Sequence, residues 1–268
     1  MKPEPKNHYV LLISEHENVT ESVVSAGFIM AELFMANIVR VHVHFSGEKA
    51  LPPTSITEEK GFRLHHHHIH RAELLSVFAI AEENNAIMGI IAVDKAKPKL
   101  NAARRVLKLV RKSRIPFLVV QSRATDLTQL KKIVLPVDFL QQTKEKALWA
   151  SYFSRYYGSI IHAISTPYKD EFYRQHSKNN LKFIERMYNN LEVEYEKVEI
   201  AGANHKLDRA AIEYAAANSA GLVVIMTTLD YNIDDLIWGP PELRLIQNPE
   251  QVPVLCLNQR NDIYVLCS

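Results

Sequence analysis

The chain has 268 residues, of which 47% are hydrophobic and 23% charged, so its composition is that of an ordinary globular protein. A formal net charge of +2 is too small to indicate a nucleic-acid partner. Two cysteines, Cys256 and Cys267, do not make a disulfide framework, and they favour a reducing cytoplasmic location. No apolar run approaches the roughly 18 residues that a membrane span needs. We therefore expect neither a membrane partner nor a signal peptide.

The chain carries one segment pattern twice. Residues 9–15 and 133–138 are short apolar segments that each end in a carboxylate. Two later apolar segments are each entered through a proline, and Pro253 stands 137 residues after Pro116. A period of that length indicates two copies of a domain and not a solenoid repeat.

The first copy, residues 1–124, alternates strands with helices. Strands are predicted near residues 9–15, 37–45, 62–70, 87–93 and 116–121, and helices near 19–36, 71–84 and 99–113. No second helix is predicted, because residues 46–61 are few and contain Pro52, Pro53 and Gly61, which indicate a loop.

The second copy, residues 130–268, follows the same plan and ends in a C-terminal extension. Its predicted strands are 133–139, 159–166, 192–200, 221–226 and 253–258, and its predicted helices are 143–157, 168–190, 205–218 and a short one ending near Asn248. Gly158 is predicted to end the first of these helices. Strict alternation of strand and helix predicts an α/β fold, with a parallel sheet covered on both faces in each copy.

These segments resemble a tandem universal stress protein. The resemblance spans nearly the whole chain and rests on residues 134–138, on the predicted helix 205–218 leading into 221–226, and on 252–255. It implies two tandem adenine-nucleotide alpha-hydrolase-like, or Rossmann-like, domains, each a five-stranded parallel sheet in the order 3-2-1-4-5. It also implies that the two halves pair within the chain as a pseudo-dimer, and that the chain can pair again as a homodimer.

The family's ATP motif is degenerate in the second copy. Members that bind ATP carry G-x-x-G, nine residues, then G-[S/T] after the fourth strand, and these glycines let backbone N–H groups approach the phosphates. Here Thr227 and Asp230 stand at the first two glycine positions, and Gly239 is the candidate for the third. Pro240 and Pro241 follow Gly239 and lack the N–H that would contact a phosphate. We therefore predict that no ATP cofactor is held in the usual way.

A weaker nucleotide contact remains open through Asp138, Thr227 and Gly239. Asp138 ends the first strand of its copy, where the family often has an aspartate at the nucleotide pocket, and it could touch ATP or AMP. Equally, this carboxylate could cap the following helix. In the first copy, residues 94–99 follow the fourth strand without a glycine, so the phosphate loop is predicted to be deleted there.

Residues 65–70 read His-His-His-His-Ile-His, and alternate positions of a strand share one face. The preceding predicted strand, its neighbour in the implied order, adds two histidines. Imidazoles on adjacent strands could hold Zn²⁺, Ni²⁺ or Cu²⁺, with zinc as the possible cofactor. The alternative is a solvated edge strand. The candidate metal ligands are His42, His44, His66, His68 and His70.

No catalytic motif is present: the sequence contains no G-x-S-x-G, C-x-x-C or H-E-x-x-H. Residues 97–114 form a basic amphipathic segment without aromatic residues, which indicates a solvated helix face and not a nucleic-acid site. We expect a non-enzymatic, cytoplasmic stress-response protein that acts through an unknown protein partner or a small ligand. The alternatives are an ATP- or AMP-binding universal stress protein with a divergent loop, and a metal-binding protein that uses the histidine-rich strand.

Overall fold

A computed structural model of the chain describes residues 8–14, 17–44, 51–93, 100–121, 130–203, 206–227 and 240–258. The chain divides into two compact units, Met1–Thr125 and Asp126–Ser268, called unit 1 and unit 2 here. In the described part of the chain, no helix is long and apolar enough to cross a membrane.

Unit 1 is built from strands and helices in alternation, with one extra strand. Its elements are β1 Tyr9–Ser14, α1 Glu17–Leu33, β2 Asn37–His44, β3 Ser55–Glu59, β4 Phe62–His70, a 3-10 helix Arg71–Ser76, α2 Val77–Glu83, β5 Ala86–Val93, α3 Leu100–Lys112 and β6 Phe117–Gln121. The sheet order is β3-β4-β2-β1-β5-β6. All neighbouring strands of unit 1 run parallel except β3 and β4, which are antiparallel.

Unit 2 repeats the arrangement without the extra strand. Its elements are β7 Lys132–Pro136, α4 Thr143–Tyr157, β8 Ile160–Ser165, α5 Glu171–Asn190, β9 Tyr195–Glu199, α6 Leu207–Ala217, β10 Leu222–Thr227, α7 Pro241–Ile246 and β11 Val254–Asn258. The strand order is β11-β10-β7-β8-β9, with all neighbours parallel. Read from β9 to β11, with the strands numbered within the unit, this is the order 3-2-1-4-5 that the sequence resemblance implies.

The central strands are near-continuous apolar runs because helices cover both faces of a parallel sheet. Five of the six residues of β1 are buried, as are four of the five residues of β7 and five of the six residues of β10. Gly158 ends α4 in the left-handed conformation, with φ 73° and ψ 30°, which confirms its predicted role.

The connection between β2 and β4 differs from the predicted loop. Residues 55–59 form β3, which turns through Lys60 and Gly61, both at positive φ, into an antiparallel pairing with β4. Unit 2 has the 20-residue helix α5 at the corresponding position. In the described part of this connection in unit 1, residues 51–61, there is this strand and no helix. Unit 1 therefore has a mixed six-stranded sheet where five parallel strands were predicted.

Candidate functional site

The first candidate site lies where β7 meets β10 in unit 2. These strands are hydrogen-bonded neighbours, with Leu222 opposite Ile133 and Val223 opposite Val134. The other neighbour of β7 is β8, and the other neighbour of β10 is β11. The connections that follow β7 and β10 therefore run in opposite directions, away from the point where these two strands meet. Open parallel sheets bind ligands outside the carboxyl ends of their strands at such a switch point. Two of the predicted residues, Asp138 and Thr227, are placed at this edge.

The Asp138 carboxylate is already bonded within its own loop and helix. Its Oδ1 accepts hydrogen bonds from the Leu140 backbone N–H at 2.8 Å and from the Thr143 hydroxyl at 2.5 Å. Its Oδ2 accepts from Lys146 Nζ at 3.1 Å. The carboxylate thus fixes the turn between β7 and α4, which is close to the capping role that the sequence left open.

Lys146 is an α4 side chain that points into the unit, with 1% of it exposed. Burial alone favours the neutral amine, but the nearby carboxylates of Asp138 and Asp208 outweigh it, and the pKa of Lys146 is raised. The ammonium is therefore charged at neutral pH and lies at the switch point. Breaking one partner of such a buried pair is costly, because the other charge is left uncompensated.

A second acidic group, Asp208, lies near this ammonium. Asp208 of α6 is only partly accessible, and burial, together with Asp138 and Glu242, raises the pKa of its carboxyl although Lys146 acts in the opposite direction. Burial and the charges of Asp138 and Asp208 also raise the pKa of the Tyr168 hydroxyl to about 12. The acidic side chains of Asp138 and Asp208 thus lie near the Lys146 ammonium, Glu242 lies near Asp208, and Tyr168 is a neutral phenol at physiological pH. We call these three acidic residues together with Lys146 the acidic centre.

The loop that carries Asp138 is held in place from α5. Asn180 Nδ2 donates to the backbone carbonyls of Asp138 at 2.9 Å and of Leu140 at 2.8 Å. The Phe139 ring lies edge-on to Tyr168, with centroids 5.5 Å apart, and against Tyr173 at 4.4 Å. These contacts fix the position of the Asp138 carboxylate relative to Lys146.

The other predicted nucleotide residues offer little to a phosphate. The Thr227 side chain is 2% exposed, and its hydroxyl donates to the Leu257 carbonyl at 3.2 Å and contacts Asn258 Oδ1 on β11. Gly239 lies outside the described residues, as do residues 94–99. Pro240 precedes α7 and Pro241 is its first residue, so neither position has a backbone N–H.

The second candidate site is the surface of β2 and β4 in unit 1. We define the histidine strip as His42, His44, His66 and His68, which the parallel register places on one face of the sheet. His42 Nε2 lies 3.1 Å from His66 Nδ1, and His44 Nε2 lies 2.9 Å from His68 Nδ1. The rings of His42 and His68 are stacked, with centroids 4.6 Å apart and an interplanar angle of 10°.

Three of the four imidazoles of the strip, those of His42, His66 and His68, have lowered pKa values. Burial, followed by the positive charge of Arg40 and the neighbouring imidazoles, lowers the pKa of His42 to about 4. The pKa values of His66 and His68 are lowered as well, in each case mainly by burial. A neutral imidazole has one N–H and one lone pair, so each cross-strand pair can form an N–H···N hydrogen bond.

The fifth predicted metal ligand, His70, is on the same strand as His66 and His68. His70 lies opposite His44 in the register, and its backbone N–H donates to Glu73 Oε2 at 3.4 Å. Among the described residues, no group of three or more His, Cys, Asp or Glu side chains is arranged to hold a metal ion.

On α3, Arg104, Lys108 and Lys112 are exposed, as predicted for a basic helix face, but Arg111 is 4% exposed and does not lie on that face.

No protein-family sequence model matches the chain, and no curated protein matches it in sequence. Solved structures do match it. A universal stress protein from Archaeoglobus fulgidus DSM 4304 has a TM-score of 0.62 and 12% identity, and the match covers 96% of this chain and 98% of that one. A provisionally assigned universal stress protein from Pseudomonas aeruginosa UCBPP-PA14 has a TM-score of 0.66 and 14% identity, covering 96% and 95%. The chain has the universal stress protein fold.

The universal stress protein fold is shared with proteins of another kind. The cytoplasmic domain of a prokaryotic cation chloride cotransporter matches with a TM-score of 0.50 and 9% identity, covering 96% of this chain and 99% of that one. At such identities the likeness concerns the fold, and one fold hosts many functions. The function of this chain is therefore argued from its own residues.

Within this universal stress protein fold, the sequence analysis missed Lys146, Asp208 and Glu242. Lys146 lies on the apolar stripe of α4, one turn after Thr143 and one turn before Ala150, and all three are buried. A lysine at a stripe position, eight residues after a strand-ending aspartate, is the sequence signal that could have revealed the pair. For Asp208 and Glu242 we find no comparable sequence signal.

Proposed function

We propose that this chain is a universal stress protein-like, cytoplasmic stress-response protein that acts without catalysis, through protein contacts or a small ligand. It does not use the family's usual ATP motif. The observation that carries the proposal is the Lys146–Asp138 ion pair, which puts a buried side chain at the switch point of unit 2.

Electrostatics at this point favour ligands other than a triphosphate. Asp138 and Asp208 lie near Lys146, with Glu242 near Asp208, and each ionised carboxylate a few ångströms from a phosphate costs on the order of 1–4 kcal/mol. Lys146 can offset this only by leaving Asp138, which costs about 3–5 kcal/mol for a buried pair.

Among the described residues, the side of β10 also offers few backbone donors to a phosphate. In ATP-binding members the glycine loop and the helix that follows it present N–H groups to the phosphates. Here α7, the helix that the structure describes after β10, begins at Pro241 and is preceded by Pro240, and the Thr227 hydroxyl is directed to β11. A neutral or cationic small molecule, or a protein surface, suits this edge better than a nucleotide.

The proposal includes assembly. Tandem members of the family pair their two halves within one chain, and we propose the same pseudo-dimer here, with a possible homodimer of the whole chain. Light scattering coupled to size exclusion tests the homodimer, because a mass equal to one chain would exclude it at the concentration used.

The test of the proposed function is calorimetric titration of the full chain with AMP, ADP and ATP in the presence of Mg²⁺. We expect no binding tighter than roughly 1 mM and no gain in affinity from AMP to ATP. We also expect no release of phosphate from ATP. Micromolar binding that strengthens with each added phosphate would overturn the proposal in favour of a nucleotide-binding member with a divergent loop.

A pair of variants links that result to the acidic centre. Asp138→Asn with Asp208→Asn replaces the two acidic groups beside Lys146 with neutral amides and releases Lys146 from its partner, so ATP affinity is expected to rise relative to the unmodified chain. Glu213→Gln is the matched control, because Glu213 is an exposed α6 residue bonded to Arg209 at 2.9 Å. If the double variant binds ATP no more tightly than Glu213→Gln does, the acidic centre is not what excludes the nucleotide.

A further inference from the structure

One side of β3 in unit 1 has no strand beside it. The other side pairs with β4, and among the described residues no strand pairs with the side that faces away from β4. All five residues of β3 are exposed, and Ile56 keeps 62% of its surface accessible. An open side of this kind can pair through its backbone with an extended segment of another molecule.

We propose that β3 pairs with β3 of a second copy of the chain, antiparallel and centred on Thr57, so that two copies form a symmetric dimer. The inference rests on the homodimer included in the proposed function and adds the surface that forms it. A strand that pairs with its own copy in this way gives a closed two-fold interface, the commonest kind in protein oligomers.

The turn between β3 and β4 determines which backbone groups of β3 are available. The turn consists of Lys60 and Gly61, both at positive φ, and it is flanked by Glu59 and Phe62, which lie opposite each other in the register. Residues that flank a two-residue turn of this type form a hydrogen-bonded pair, and such pairs recur at every second position of an antiparallel ladder. Alternate residues of β3, beginning with Glu59, therefore direct their backbone groups to β4.

Ile56 and Glu58 are the β3 residues whose backbone N–H and C=O groups point away from β4. In the antiparallel dimer, Ile56 of each copy lies opposite Glu58 of the other, and each of these pairs exchanges two backbone hydrogen bonds. Thr57 then lies opposite Thr57 of the second copy in the non-hydrogen-bonded position between them, where facing residues approach most closely. The proposed register thus uses the backbone groups that the hairpin leaves available.

The charges of β3 are compatible with this register. Glu58 and Glu59 lie opposite Ile56 and Ser55 of the second copy, so no like charges face each other across the interface. A parallel pairing in register would instead set each glutamate against its own copy.

The outer strand of unit 2, β9, offers no equally good partner. An antiparallel β9 pair centred in the same way sets Lys197 against Lys197, and a parallel pair sets every charge against its own copy. Full-length pairing of β9 with β3 sets Glu196 against Glu58 when antiparallel and Glu199 against Glu59 when parallel. Of the full-length pairings of these two strands, the antiparallel β3 pair is the one without opposed like charges.

The dimer is expected to be weak, because a strand of five residues buries far less than the roughly 1,200–2,000 Å² of a standard stable interface. Its population should therefore rise with protein concentration, and covalent trapping is the appropriate measurement.

The experiment introduces single cysteines into the full chain in a Cys267→Ser background, in which the remaining Cys256 is buried. Thr57→Cys should form a disulfide-linked dimer under mild oxidation. The Cα atoms of a non-hydrogen-bonded pair lie about 4.5 Å apart, and a disulfide spans about 4.4–6.8 Å. Ser55→Cys and Glu59→Cys, each alone, should cross-link at least about tenfold less, and a mixture of the two should cross-link to each other.

Light scattering of the unmodified chain over a range of concentrations separates this inference from the homodimer itself. A dimeric mass without preferential cross-linking of Thr57→Cys would overturn the β3 interface and leave the homodimer standing. A mass of one chain throughout, with no Thr57→Cys cross-link, would overturn both. Equal self-cross-linking of Ser55→Cys, Thr57→Cys and Glu59→Cys would indicate parallel pairing or random collision and would also overturn the inference. Circular dichroism checks that each variant is folded.

Discussion

The Lys146 ammonium lies 3.1 Å from the Asp138 carboxylate, on a lysine side chain that is 1% exposed. Lys146→Met keeps most of the packing volume but leaves Asp138 and Asp208 without their cation. We expect the free energy of unfolding to fall by about 3 kcal/mol, at the low end for a buried pair because Asp138 is 20% exposed. Urea denaturation measures this, and the double variant with Asp138→Asn should recover part of the loss.

The control for that prediction is Lys144→Met, two residues away in sequence but on the exposed side of α4. Lys144 lies over the Phe183 ring at 4.8 Å, a contact worth about 0.5–1 kcal/mol at exposed sites. Equal losses for Lys144→Met and Lys146→Met would show that the buried ion pair contributes nothing particular to stability.

Acid sensitivity of unit 2 is predicted from His162. Its Nδ1 is 2.8 Å from the Tyr214 hydroxyl, and burial lowers the pKa of the ring, with Glu196 opposing the shift and Lys132 reinforcing it. The unfolded chain then takes up a proton at this ring near pH 6.5 while the folded chain does not. The stabilisation is complete above that pH and is lost as the pH falls toward the folded pKa.

His162→Gln should therefore make unfolding less dependent on pH between about 7 and 5, measured by urea denaturation at several pH values. His176→Gln, on the exposed side of α5, serves as the comparison and should retain the slope of the unmodified chain. A slope that is unchanged in His162→Gln would contradict the prediction.

Asn180 is predicted to stabilise the turn after β7. Asn180→Ala removes both donors to the Asp138 and Leu140 carbonyls, and we expect a loss of about 1–3 kcal/mol because the site is buried. The neighbouring Asn179 is exposed and bonds only to the Gln175 side chain in the contacts described, so Asn179→Ala should cost under about 0.5 kcal/mol. Thermal unfolding of the two variants under the same conditions compares their losses of stability and tests this prediction.

Gly89 on β5 is predicted to tolerate no side chain. A Cβ at this position would overlap the ring of Phe117 on β6, and that ring is 1% exposed and cannot swing into solvent. Gly89→Ala should cost about 1–3 kcal/mol through overpacking. In a Phe117→Leu background the same change should cost less, and strictly additive losses in a double-mutant cycle would refute the steric explanation.

Much of the fold could be predicted from the sequence because its signals are local and repeated. Apolar runs buried on both faces identify β7 and β10, and the left-handed Gly158 marks the end of α4. The extra strand β3 was missed because Pro52, Pro53 and Gly61 indicate a loop. Its residues, Ser55–Glu59, are all exposed and carry no apolar pattern, and only pairing with β4 makes them a strand.

The candidate site could be predicted only in part, because its chemistry depends on tertiary partners. The end of β7 located Asp138, and the alternation of histidines located the strip on one face of the sheet. Lys146 was not recognised, since a lysine on a helix is normally solvated and only the fold brings Asp208 and Asp138 to it. The His44 and His68 spacing depends on a parallel register that no single segment specifies.

The strand β3 has a consequence for the behaviour of the chain at high concentration. It is the edge strand of the sheet in unit 1, and no other strand of the described residues pairs with its outer side. An edge strand presents unpaired backbone N–H and C=O groups with which a strand of another molecule can pair, and such pairing can lead to aggregation. Glu58 and Glu59 end this strand, so a second copy that pairs with it parallel and in register places like charges directly opposite each other, which is destabilising. We conclude that these two glutamates disfavour stacking of β3 strands in that parallel arrangement.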